Sequence, residues 1–130
     1  MTAVPSRVVL LDSITQVDAL HAGFCVVTGS HGGVSAARYA SAVAARVYVF
    51  NDAGVGKDAA GIAALALLDA LGIAAVTVAH DSARIGEARD TWDNGVISHQ
   101  NAAAGGIGLL PGARLSAALA ALADVPVDDG

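Results

Sequence analysis

Apolar residues in this chain come in short, unbroken runs. Residues 7–11 (RVVLL), 24–28 (FCVVT), 46–50 (RVYVF) and 73–79 (IAAVTVA) are continuous rather than alternating. That is the pattern of strands covered on both faces, as in a parallel sheet packed between helices. Segments with helical spacing separate them. Residues 15–21 predict a short helix closed by Gly23, and residues 34–45 a longer one. Residues 59–71 form the best helical pattern, with Asp58 placed to N-cap it and Gly72 following its C-cap. Strands alternating with helices give βαβ units with right-handed crossovers. The expected class is therefore α/β: a three-layer αβα sandwich around a mostly parallel sheet of about four strands.

The second half is less regular. Residues 83–94 show no clear periodicity and carry Arg84, Arg89, Asp90 and Trp92. A helix is expected from about 95 to 104, ended by Gly105 and Gly106. Pro111-Gly112 marks a turn, residues 114–123 predict a final amphipathic helix, and 125–130 reads as a frayed tail. There is no repeat and no linker, so the 130 residues read as one α/β domain spanning 1–130.

Composition narrows the partners. Hydrophobic residues make up 55% and charged residues 15%, which excludes intrinsic disorder. The net charge is −5 and the seven basic residues are scattered, so no stripe exists to neutralise nucleic-acid phosphates. One cysteine allows neither an internal disulfide nor a cysteine-based zinc cage, and Cys25, in mid-strand, reads as a small buried hydrophobe. Residues 1–6 lack the features of a secretion signal, and the expected location is cytoplasmic. Mean hydropathy of +0.59 raises the question of a membrane span. The longest candidate, 61–79, contains Asp69 and a helix stop at Leu71-Gly72; a helix followed by a buried strand explains it, and no membrane partner is expected. Charged residues are few enough to suggest a homo-oligomer, with Leu115, Ala118, Leu119, Leu122 and the region of Trp92 as candidate contacts. Core packing is the competing reading for both.

The chemistry concentrates at one edge. In open parallel sheets ligands bind at the carboxyl ends of the strands, where loops lead into helix N-termini. Here those ends carry Ser30 and His31, then Asn51 and Asp52 followed by Lys57, then His80, Ser82 and Arg84. The opposite ends, around Gly23, Arg46 and Gly72, are bland. His31, within Gly-Ser-His-Gly-Gly, is a candidate general acid or base. Ser30 is either a nucleophile or a helix cap; the nucleophile-elbow motif is absent. Asp52 either orients His31 or binds substrate, while Asn51, Lys57, His80, Ser82 and Arg84 are candidate substrate-binding residues. The stretch NDAGVGKD fails as a Walker A loop, because Asn51 replaces the first glycine and Asp58 the hydroxyl residue after Lys57. No metal-ligand spacing is present, and no metal or other cofactor is expected. His99 and Asn101, placed on the expected later helix two residues apart, share no face.

Two stretches resemble the caspase-hemoglobinase fold. FCVVTGSHGG is similar to the segment that carries that fold's catalytic histidine, and RVYVFNDAGVG to the strand that delivers its cysteine. The resemblance implies neighbouring strands and a His31–Asp52 neighbourhood. Asp52 stands in the cysteine's place, which speaks against cysteine-peptidase activity. Two functional readings follow. One is a small enzyme, hydrolase or lyase, that binds a small anionic or amide-type metabolite and uses His31 for acid–base chemistry. The other is a non-catalytic metabolite-binding or accessory subunit using the same edge.

Overall fold

The computed structural model describes residues 2–123. Five strands, Val8–Leu11 (β1), Cys25–His31 (β2), Val47–Asn51 (β3), Ala74–Val78 (β4) and Ile97–Gln100 (β5), form one sheet in sequence order. Strands β1 to β4 are mutually parallel, and β5 pairs antiparallel to β4. Helices α1 (Val34–Ala40), α2 (Ala63–Asp69), α3 (Ala88–Asn94), α4 (Ala102–Gly105) and α5 (Leu115–Ala123) connect and cover them. None of the helices is long and apolar enough to cross a membrane.

The continuous apolar runs put side chains into two clusters. Val26, Tyr48, Phe50 and Ala75 pack with Ala36, Ala37 and Ala40 of α1 and Ala64, Leu65 and Leu68 of α2. The alternate positions Val27, Val49 and Val76 pack with Trp92, Leu115 and Leu119. Helices α1 and α2 thus join one cluster, and α3 and α5 the other. The connections after β2 and β3 enter the first cluster, whereas the connection after β4 enters the second. The chain therefore diverges between the carboxyl ends of β3 and β4, and such a switch opens a crevice there.

Several expected elements are corrected. The sheet has five strands rather than about four. The expected helix over 95–104 is instead β5, then Asn101, then the short α4. Strand β4 is fully buried and its second edge needs a partner; Val96 and β5 supply it, the Ala79 N–H donating to the Val96 carbonyl. Asn101 then forces the turn: its Oδ1 accepts from the N–H groups of Ala75 and Ala104, and its Nδ2 donates to the carbonyls of Leu65 and Ile73. The helix expected at 15–21 is two 3-10 turns, Ile14–Gln16 and Ala19–His21. Ser13 and Asp18 each form a capping box, and the second cap interrupts the first turn.

Helix α2 begins at Ala63, not 59, and Asp58 is no N-cap: Asp58 and Ala59 are left-handed, with φ of 56° and 57°. Gly61 permits the close approach that follows: a Cβ there would lie 1.9 Å from the Asp52 carbonyl oxygen, where the chain folds back onto the end of β3. Helix α2 ends at Asp69 with Ala70 as its C-cap, short of the expected 71; Gly72, with φ of 74°, then turns the chain, its N–H donating to the Asp69 carbonyl and the Ile73 N–H to that of Leu68. Residues 83–94, which lack obvious periodicity, contain α3, whose Ala88, Thr91 and Trp92 are buried. Trp92 belongs to the core, its Nε1 donating to the Thr2 and Ala3 carbonyls, and Leu115 and Leu119 also point into the chain's own core. Cys25 is a buried free thiol. The expected tail 125–130 lies outside the described residues.

These placements separate two leucines three residues apart. Leu68 is fully buried and Leu71 is exposed. Leu68→Ala is expected to destabilise the fold by about 2–5 kcal/mol, and Leu71→Ala by no more than about 0.5 kcal/mol. Urea unfolding of the two variants checks this, and equal losses would contradict the placement of α2.

Candidate functional site

Asp52 follows β3 directly. Its side chain is only 6% exposed, an unfavourable place for a carboxylate unless it is well partnered. Oδ1 accepts from the backbone N–H of Gly54 at 2.8 Å and of His80 at 3.1 Å. The first bond curls the loop after β3, and the second ties it to the loop after β4. The His80 ring presents Nδ1 to Oδ1 at 3.4 Å, and the His99 ring presents Nδ1 to Oδ2 at 3.9 Å. Burial pushes the Asp52 carboxyl upward. The N–H of Gly54, the Ser98 hydroxyl, the N–H of His80 and the His80 charge outweigh this and hold it below the usual carboxylate value. Asp52 is thus an anion at neutral pH.

The two imidazoles reach it by different routes. His80 sits on the loop after β4, 58% exposed, with its ring over Gly54. His99 is held in β5 and is 40% exposed. Opposite β5, Thr77 faces His99 and Val78 faces Ile97, so Ser98 is an extra residue in the ladder. Such a bulge re-aims neighbouring side chains. Here the Thr77 hydroxyl lies 2.9 Å from the Ser98 hydroxyl and 3.5 Å from His99 Nδ1, while the Ser98 hydroxyl is 3.2 Å from that nitrogen. Both rings turn Nδ1 inward, which leaves Nε2 as the outward atom. The carboxylate lies close to both Nδ1 atoms without a hydrogen bond to either, and His99 Nδ1 is closest to the Ser98 hydroxyl.

The sequence-derived candidates divide around this cluster. Asp52 and His80 come together. Ser30 Oγ accepts the Ile14 N–H and ties β2 to the first 3-10 turn. Asn51 is buried; its Nδ2 donates to the Ala83 carbonyl and its Oδ1 accepts the Ala53 N–H, so it joins the two loops. Ser82 donates to the Ala79 carbonyl and accepts the Val96 N–H. Arg84 is 80% exposed and faces Glu87 at 3.8 Å. Lys57 is exposed at the start of the Lys57–Ile62 turn. His31 is exposed at the end of β2, its ring against Gly33; no hydrogen bond or ion pair joins it to Asp52. His99, Ser98 and Thr77 are the members that sequence reading missed. Assigning 95–104 to a helix hid Ser98 and His99; the signal was Ile97 to Gln100, a run too short to be told from helix by periodicity.

The described residues contain no group of three or more His, Cys, Asp or Glu side chains arranged to hold a metal ion. Two grooves lie on the α1/α2 side. One of about 330 Å³ runs between α1 and α2 and includes Val34, Leu67 and Leu71; the other, of about 310 Å³, runs beside β5 and includes His99. Comparison with known proteins returned no matching family model, curated protein or solved structure.

The depressed Asp52 pKa has a stability consequence. Its folded value lies below an unfolded value of about 4. The carboxylate therefore stabilises the fold above that pH, and the contribution is lost as pH falls through the folded-state value. Asp52→Asn is expected to destabilise by about 1–3 kcal/mol at neutral pH, with the gap to the unmodified protein narrowing in acid. Urea unfolding of both proteins across this range measures it, and a gap that does not change with pH would contradict the assignment.

Proposed function

We propose that the protein is a small cytoplasmic enzyme that binds a small anionic or amide-type metabolite at the carboxyl edge of its sheet. It acts there by acid–base chemistry, as a hydrolase or a lyase. One observation carries this reading: a single buried carboxylate lies between the Nδ1 atoms of two partly exposed imidazoles. Both backbone N–H groups go to Oδ1, whereas the two rings approach the carboxylate from Oδ1 and Oδ2. Two further rings aimed at it supply paired proton-transfer groups at one mouth.

In this reading Asp52 orients both rings and balances the charge when one is protonated. One imidazole takes a proton and the other gives one. In hydrolysis the first removes a proton from water as its oxygen bonds to the substrate carbonyl carbon. The second protonates the leaving nitrogen as the C–N bond breaks. In elimination the first takes a carbon-bound proton and the second protonates the departing group. His31 stands at the neighbouring strand end as a substrate contact, in keeping with the local likeness to the caspase-hemoglobinase segments; Asp52 in the cysteine's place makes covalent thiol chemistry unsuited to this edge. The two apolar clusters support assigning the fold to a three-layer αβα sandwich. With Leu115, Leu119 and Trp92 used internally, self-association belongs to the exposed Val34, Leu67 and Leu71.

The test is a turnover screen of small primary amides and carboxylates, followed by His80→Gln and His99→Gln. Each variant is expected to lower kcat by about a hundredfold or more with the unfolding midpoint unchanged. Changed affinity with no turnover by any protein would favour the non-catalytic binding subunit. Loss confined to His31→Ala would return the acid–base role to that residue.

A further inference from the structure

We propose that the groove beside β5 seats the substrate and selects a linear amide whose far end carries an ammonium group. This deepens the acid–base reading above and rests on it. His99 belongs both to the Asp52 cluster and to the groove wall, so the groove is continuous with the proposed chemistry. Its two walls run in the same direction. On one side Ile62, just before α2, and Leu65, Ala66 and Asp69 on it recur at helical spacing, a stripe about 10 Å long. On the other, the chain passes from His99 to Ala102. Strand β5 runs opposite to β4, so both walls lead from the carboxyl edge toward the base of the sheet. A bound molecule lies lengthwise, one end at His99 and the other at Asp69.

The lining sets its chemistry. Ile62, Leu65 and Ala66 offer an apolar middle. Asp69 is the sole formally charged lining residue, and no lysine or arginine is present. Its Oδ1 accepts the Ala103 N–H at 2.9 Å, which orients the carboxylate at the far end. An anionic tail is repelled there and a cationic one is attracted. The head group at His99 must tolerate the nearby Asp52 anion, which favours a neutral carbonyl compound over a carboxylate. Of the two classes compatible with the proposed function, the groove thus selects the amide. Hydrolysis of such an amide adds water across the C–N bond: the water oxygen bonds to the carbonyl carbon, the C–N bond breaks, and the acid proton passes to the leaving nitrogen, giving a carboxylate and ammonium.

Titration calorimetry on the full chain tests this with 5-aminopentanamide, neutral pentanamide and the anionic glutaric acid monoamide. The ammonium compound is expected to bind about fivefold more tightly than pentanamide, and the anion more weakly than either. Asp69→Asn keeps an acceptor for the Ala103 N–H and should erase the ammonium preference, as should high salt. Ala66 is exposed on the groove side, and Ala66→Trp should block all three ligands while the unfolding midpoint is retained. Ammonia release is followed in parallel. Ammonium preference without release leaves the groove assignment standing and defeats the catalytic reading. Release without preference, or with preference intact in Asp69→Asn, overturns the groove assignment alone. Failure of 5-aminopentanamide to bind overturns it as well.

Discussion

The carboxylate of Asp52 is the constraint on which the upper edge of this sheet depends. A buried anion is tolerated only when its lone pairs are met by donors. Gly54 and His80 meet them with backbone N–H groups, and in doing so they bring together the loops that follow β3 and β4. Asn51, one residue earlier and on the other side of the strand, holds the same two loops through Ala53 and Ala83. Two adjacent polar residues at one strand end thus clamp the crevice from both faces. This is where the chain's connections diverge between the two apolar clusters.

The loop from Ala53 to Gly61 carries the consequence. Ala53, Val55, Asp58 and Ala59 all have positive φ, between 52° and 69°. Non-glycine residues in that region are each unfavourable by roughly 1–3 kcal/mol, and a β-branched valine is among the poorest suited. Only an over-determined surrounding holds such a backbone. Here the Val55 N–H donates to the Asp52 carbonyl, the Gly61 N–H donates to the Val55 carbonyl, and Gly61 itself lies against Asp52 where no side chain fits. The loop's shape and the carboxylate's position are therefore one arrangement: relaxing the strained residues would withdraw the Gly54 N–H from Oδ1.

Much of this was legible in the residues, though not all for the same reason. Runs such as FCVVT and RVYVF are buried on both faces, and burial on both faces shows directly in composition, so β1 to β4 stood out. The polarity of their carboxyl ends pointed to the edge at which Asp52 and His80 come together. β5 did not stand out. Its four residues alternate too briefly to differ from one helical turn, and its strand identity comes from the unpaired edge of β4 and from four hydrogen bonds made by Asn101, all long-range or tied to the turn. The grip of His99 on the cluster depends on the Ser98 bulge, a matter of register that sequence periodicity does not encode. His31 drew attention because glycines flank it, yet those glycines serve packing. A Cβ on Gly32 would approach the Gly61 carbonyl at 2.8 Å, and one on Gly33 the His31 ring at 3.0 Å.

The bulge also explains why an antiparallel strand closes an otherwise parallel sheet. A fifth parallel strand would arrive with its first residues at the base of the sheet and its side chains in the register of β4. An antiparallel strand starts at the carboxyl edge, so Ile97 can enter the core beside Val78 while the next two residues are delivered to the crevice. Without the extra residue, Ser98 and His99 would alternate to opposite faces. With it, both reach Thr77. The Thr77 and Ser98 hydroxyls and the Asp52 carboxylate all converge on His99 Nδ1, so this imidazole is positioned from strands, whereas His80 is positioned by a loop.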